Sequence, residues 1–155
     1  MSLAERLAAI EAERGPVEWA EVFVTDLNGI QRGKLIPAAM LGKAEAGRLR
    51  MPVSAVGLDV FGQDVPESGI AIERGDPDGP LIPVPETLAP VLWAARPTVQ
   101  LLCAMGEGEG PCAYDPRAVL ARVAERAAAR GLTAAMAFEL EFYLVDPARP
   151  APPAA

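Results

Sequence analysis

The chain has 155 residues, room for one ordinary domain or a small domain with part of another. About half of them are hydrophobic (51%), which favours a packed core over disorder. A net charge of −7 without a basic cluster argues against a nucleic-acid partner, and with no histidine the segment lacks the commonest general base and any imidazole metal ligand. No apolar run reaches the roughly 18 residues of a membrane span, and no secretory leader is visible. Cys103 and Cys112 have neither zinc-site spacing nor a framework of pairs, so they read as reduced thiols of a cytoplasmic protein.

Leu3, Leu7 and Ile10 fall on one face of a helix over Leu3 to Arg14, stopped by Gly15-Pro16. Val17 to Asp26 is rich in β-formers and reads as a strand. Asp26-Leu27-Asn28-Gly29 carries Asn-Gly, the strongest short hairpin signal, because both residues tolerate positive φ. Ile30 to Ile36 is the return strand. Ala38 to Leu49 suggests a helix or helical turn, interrupted by Gly42 and Gly47. Short strands are expected at Val53 to Leu58, Gly69 to Glu73 and Leu81 to Val84, separated by Gly- and Pro-rich turns. Val91 to Ala95 and Thr98 to Met105 are two more. Gly106 to Pro111 alternates Gly and Glu and reads as a flexible linker. Asp115-Pro116 then opens a helix, cap residue first and proline at its first position, running to about Arg130 and stopped by Gly131. Leu132 to Val145 reads as a strand, and Asp146 onward as a frayed end.

A lone helix and strand after a linker cannot build a core. The expected division is therefore a first domain over 1–106, a linker over 107–114, and the opening of a second, incomplete domain over 115–155.

The candidate chemistry lies in the last strand. In Ala137-Phe138-Glu139-Leu140-Glu141-Phe142-Tyr143-Leu144, period-2 alternation sets Glu139, Glu141 and Tyr143 on one face, with the two glutamate Cα atoms about 6–7 Å apart. That suits a hard cation, although such a pair is more often a strand's solvated face, and a hard cation needs more oxygens than two side chains supply. Gly75-Asp76-Pro77-Asp78-Gly79 lacks the length and terminal glutamate of a calcium loop and reads as a turn. Arg32 and Lys34, beside Gly33, read as exposed hairpin charges or as contacts between subunits or domains.

Several of these segments together resemble the glutamine synthetase superfamily. Val24 to Pro37 resembles its first hairpin, Asp115 to Val123 the helix that leads into its catalytic domain, and Ala137 to Leu144 the first metal-binding strand of that domain. Arg96 to Leu102 and Phe138 to Leu144 are similar to the γ-glutamylpolyamine (γ-glutamylputrescine) synthetase branch. The resemblance implies an α+β fold: an N-terminal β-grasp domain followed by the first helix and strand of an incomplete α/β catalytic domain. It implies that Glu139 and Glu141 are the first two glutamates of a Mg2+ or Mn2+ site. It also implies ATP as co-substrate, glutamate and an amine or ammonia as substrates, and a homo-oligomeric ring whose N-terminal domains close neighbouring sites. Ammonia-using members carry Asp-Gly-Ser-Ser where this chain has Met51-Pro52-Val53-Ser54-Ala55-Val56, a departure that favours a larger amine and leaves Ser54 as the polar contact. The function implied is an ATP-dependent glutamate–amine ligase, of which this fragment alone is inactive. An ammonia-using glutamine synthetase, or a non-catalytic relative used for assembly or regulation, are the alternatives.

Overall fold

The computed structural model describes residues 1–70, 73 and 75–148. It divides into two compact units, Met1–Val123 and Ala124–Ala155.

In the first unit, α1 (Leu3–Arg14) begins with a reciprocal cap: Ser2 Oγ accepts from the Glu5 amide and Glu5 Oε2 accepts from the Ser2 amide. It ends at Gly15, whose φ of 87° few other residues adopt. Leu3 is buried, and Leu7 and Ile10 pack against the core beside it. Strand β1 (Trp19–Thr25) pairs antiparallel with β2 (Gln31–Pro37), from Trp19 opposite Pro37 to Thr25 opposite Gln31. A short helical turn at Ala38–Met40 and α2 (Gly42–Glu45) follow, then β3 (Arg50–Pro52), β4 (Asp78–Pro83), β5 (Ala89–Pro90), β6 (Thr98–Glu107) and β7 (Gly110–Pro111).

Among the described residues the sheet runs β2-β1-β6-β4-β3, with β5 and β7 also on β6. Strand β6 organises it. Its first half lies parallel to β1, Trp19 opposite Thr98 through Phe23 opposite Leu102, and its second half antiparallel to β4. Alternation decides the core: Ala20, Val22 and Val24 of β1 and Val99, Leu101, Cys103 and Met105 of β6 are all fully buried. The sheet is mixed and the fold is α+β.

The hairpin forms where expected, while other expectations need correction. The strands stop at Thr25 and restart at Gln31, and Gly29 has positive φ (79°) while Asn28 does not. Ala38 to Leu49 takes the form of helical turns, one of the two forms expected, and Gly47, at φ 64°, follows α2. Val53 to Leu58 is not a strand. Pro52 ends β3, and Val53–Val56 closes into a helical turn whose Ser54 carbonyl takes the Gly57 amide. Val91 to Ala95 is a turn beyond β5, with Val91 itself held by the Thr98 carbonyl. Of the strand expected at Gly69 to Glu73, residues 71 and 72 lie outside the described residues, as does most of the stretch expected to fray after Asp146.

The Gly/Glu stretch Gly106 to Pro111, read as a flexible linker, is an ordered hairpin. Gly106 opposes Pro111 and Glu107 opposes Gly110 in a tight hairpin, and Cys112 is fully buried with its amide on the Met105 carbonyl. Glycine supplies the turn, at Gly108 (φ 59°), rather than freedom. Asp115 then caps α3 (Pro116–Ala128) as expected, its Oδ1 accepting from the Arg117 and Ala118 amides at 2.8 and 3.1 Å. Its Oδ2 accepts from the Met105 amide at 2.7 Å, which staples the helix start to β6.

In the second unit the expected strand over Leu132 to Val145 is not formed: residues 132–145 hold neither helix nor strand. A strand depends on a neighbour for its ladder, and no described strand pairs with it. Phe138, Leu140, Phe142 and Leu144 are consequently 93, 85, 76 and 92% exposed.

Candidate functional site

Glu139 and Glu141 stand in this unpaired segment, and both are exposed. Leu140 to Tyr143 line an open depression. Among the described residues no three Asp, Glu, Cys or His side chains come together as a metal centre. Two carboxylates on an exposed chain do not by themselves hold a divalent cation, which takes six or more oxygens, several of them from the protein or substrate. The pair fits part of such a centre and does not complete one.

The structure gathers a different constellation, around the β1–β2 turn. Asp26 is buried, 1% exposed, yet carries no unmet demand. Its Oδ1 accepts from the amides of Asn28 and Ile30, both at 2.8 Å, and its Oδ2 from Arg32 Nε at 2.9 Å. Burial alone would raise this carboxyl's pKa. The Ile30 amide, Arg32, the Asn28 amide and the Arg32 charge outweigh it and hold the pKa below the ordinary aspartate value. Arg32 therefore is not a free hairpin charge. Beyond Asp26, its second terminal nitrogen donates to the Asp59 carbonyl at 3.1 Å. Lys34 donates to the Arg50 carbonyl.

Through Arg32 the turn grips a second loop, Gly57–Gln63. The Leu27 amide donates to the Val56 carbonyl at 2.9 Å, and Asn28 Nδ2 to the Leu58 carbonyl at 2.7 Å. The loop closes on itself at Asp59, whose Oδ1 takes the amides of Phe61 and Gln63, each at 2.8 Å. A Cβ on Gly62 would lie 3.1 Å from the Arg32 guanidinium, so glycine leaves room for the cation, at a φ of 80° that favours it. The outer side of the two loops carries Leu27, Val60 and Phe61, 60, 60 and 84% exposed. Sequence reasoning passed over Asp26 and Asp59. The available signal was an Asp two residues before Asn-Gly and another two before Phe-Gly, positions where an aspartate bonds the backbone ahead of it.

Met51-Pro52-Val53-Ser54-Ala55-Val56 turns inward. All but Pro52 are buried, Ser54 included, so the hydroxyl read as a polar contact does not face outward. Only part of the stretch read as a turn lies outside a strand, since Asp78 and Gly79 open β4, and among the described residues no three acidic or thiol side chains gather there as a cation cage. Both cysteines are free and buried, and burial pushes the Cys103 thiol up to about 12 and the Cys112 thiol upward too. No described helix is long and apolar enough to cross a membrane.

Likeness to known proteins extends to sequence, family and fold. The family model of the glutamine synthetase catalytic domain matches residues 113–154. Among curated proteins, the chain is 41% identical over 141 residues to γ-glutamylputrescine synthetase of Escherichia coli K12, covering 90% of this chain and 30% of that one. It is 30% identical over 139 residues to glutamate–isopropylamine ligase of a Pseudomonas species, covering 86% and 30%. Among solved structures, GmaS in complex with ADP aligns with a TM-score of 0.60 at 30% identity over 80% of this chain and 26% of that one. A glutamine synthase homologue aligns with the same score at 25% identity over 74% and 28%. The chain thus spans about 30% of the length of the curated relatives it matches. In sequence, family model and fold alike, the chain is similar to the glutamine synthetase superfamily near its γ-glutamylputrescine synthetase branch.

Proposed function

We propose that this chain is the leading part of an ATP-dependent ligase that joins glutamate to an amine. The observation that carries the reading is the 41% identity to γ-glutamylputrescine synthetase, sustained over 90% of the chain. A second relative also bears the name of a glutamate–amine ligase, and one similar solved structure is a complex with ADP.

In the reaction, a γ-carboxylate oxygen of glutamate attacks the terminal phosphorus of ATP and ADP leaves. The amine nitrogen then attacks the acyl carbon, phosphate departs, and the nitrogen loses a proton. Catalysis of this kind is positioning with electrostatic stabilisation. Glu139 and Glu141 would hold Mg2+ or Mn2+ together with carboxylates from outside this segment, and the metal would supply charge neutralisation at the phosphates. Within this reading, residues 1–106 form a β-grasp domain, 107–114 the junction, and 115–155 the start of the catalytic domain. The described topology, with β1 and β6 parallel and side by side, supports a β-grasp. Assembly into a homo-oligomeric ring in the cytoplasm belongs to the same proposal. Replacement of Asp-Gly-Ser-Ser by the inward-turned Met51–Val56 segment favours an amine larger than ammonia.

The test is phosphate release by the protein of the complete reading frame. Release that requires glutamate, ATP and putrescine together supports the reading. Turnover without glutamate, or none with any amine or ammonia, overturns it. These 155 residues alone are expected to be inactive, because they bring together no metal centre among the described residues.

A further inference from the structure

The first unit holds a cavity that the ligase reading leaves unused. It lies between the end of α1 and the loop that enters β6, and measures about 320 Å3, the small end of the range that takes organic ligands. Ile10, Val17, Val91 and Pro97 give it apolar walls. Arg14 and Arg96 are the charged groups among the described residues that line it, and no described carboxylate does. An apolar hollow whose charges are all positive takes an apolar body, and favours an anionic group on that body over a cationic one.

The backbone around the cavity is held before anything binds, which lowers the ordering cost of binding. Glu18 and Trp19 both donate their amides to the Pro97 carbonyl, at 2.9 and 3.1 Å, and the Val91 amide donates to the Thr98 carbonyl at 2.8 Å. The Val17 amide donates to Glu11 Oε1 at 3.1 Å, which ties the approach to β1 back to α1. Arg96 is held as well: its guanidinium lies 5.0 Å from the centre of the Trp19 ring and donates to Glu18 Oε2. That bond leaves other N–H groups of the fork for a ligand. The pair is also exposed, so Glu18 is a weak competitor for the guanidinium. Arg14 stands at the C-terminal end of α1, where the helix dipole favours a cation. Its pairing with Glu13 is looser still, at 3.4 Å.

The geometry points to this cavity as a binding site for a small apolar carboxylic acid. Its hydrocarbon part lies between α1 and the loop, and its carboxylate on Arg96, with Arg14 as the second cation. The class of ligand follows from the lining: a hydrophilic acid would leave the apolar walls unfilled, and an amine would meet two guanidiniums. The inference does not rest on the ligase reading, since every residue it uses lies within the first unit.

The experiment titrates the 155-residue chain with three probes. Phenylacetate carries ring and charge, phenylacetamide keeps the ring without the charge, and acetate keeps the charge without the ring. Calorimetry gives the affinities. Fluorescence of Trp19, under Arg96, and of Trp93, exposed between two lining residues, reports binding at the cavity. Phenylacetate is expected to bind saturably with a Kd of about 1 mM or tighter, and the other two at least about fivefold more weakly. Arg96→Gln should weaken phenylacetate about fivefold and leave phenylacetamide unchanged. Glu18→Gln, which frees Arg96 of its competitor, should tighten phenylacetate about twofold or more. The comparison of probes on the natural chain decides the matter even if a variant folds poorly. Absence of saturable phenylacetate binding up to about 10 mM overturns the inference. So does acetate or phenylacetamide binding as tightly as phenylacetate, or an Arg96→Gln chain that binds phenylacetate unchanged.

Discussion

Asp26→Ala tests whether the Asp26–Arg32 hub holds the first unit together. The carboxylate is buried, its side chain fully inaccessible, and Arg32 is 21% exposed. Truncation does three things: it strands a largely buried guanidinium, frees the Asn28 and Ile30 amides, and loosens the Gly57–Gln63 loop. Removing one partner of a buried pair typically costs about 3–5 kcal/mol, a large share of the roughly 5–15 kcal/mol of a whole domain. With a urea slope of about 1.5 kcal/mol/M, the midpoint should fall by about 2 M or more. Asp26→Asn keeps an acceptor for the two amides and should fall less, by about 1.5–3 kcal/mol for the lost charged hydrogen bond. The assay is urea unfolding followed by far-UV circular dichroism, with amide exchange at Ile30. A loss below about 0.5 kcal/mol in Asp26→Ala, the range of an ordinary surface change, would refute the reasoning.

Other outcomes follow from the same contacts. Asp26 titrates lower in the folded chain than unfolded, so its stabilisation is complete above an unfolded pKa of about 4 and fades as pH falls through the folded value. Urea midpoints measured from about pH 6 down to about pH 2.5 should drop more steeply for the natural chain than for Asp26→Asn; parallel curves would contradict this. In Gly33→Ala the new Cβ would stand 2.2 Å from the Val22 carbonyl oxygen and 2.6 Å from Phe23 Cβ. That should destabilise the hairpin by about 1–3 kcal/mol, against an expectation of almost none if the glycine were incidental. Neither cysteine should react with a thiol reagent within minutes at about pH 8 in the folded chain, and both should react in roughly 6 M guanidinium; one fast equivalent under native conditions would show that burial does not protect them.

What the sequence made legible was local. The β-formers of Val17 to Asp26 announced β1, the spacing of Leu3, Leu7 and Ile10 set the buried face of α1, and Asp115-Pro116 announced the start of α3. Less legible was what depends on distant partners. Val53–Val56 has a strand's composition but closes into a turn, its first amide on the Pro77 carbonyl. The Gly/Glu stretch looked like a linker because composition cannot show that Met105 and Asp115 hold its two ends. Arg32 looked like a surface charge because its partners are six and 27 residues away. The alternation around Glu139 and Glu141 suggested a strand, yet none forms there for want of a neighbour. The inward turn of Ser54 is a tertiary outcome that no local pattern signals.

The measurement that bears most directly on the proposed ligase reaction and the proposed metal site is acceptor-dependent product formation by the protein of the complete reading frame, read by mass spectrometry and compared with Glu139→Gln and Glu141→Gln. The expected product is a γ-glutamyl amide from glutamate, ATP and putrescine, formed only with Mg2+ or Mn2+. Each substitution should lower kcat by at least about 100-fold while the urea midpoint stays within experimental error, since both side chains are exposed. Full activity in both variants would contradict the metal assignment, and the absence of any glutamyl amide from the natural protein would contradict the ligase itself.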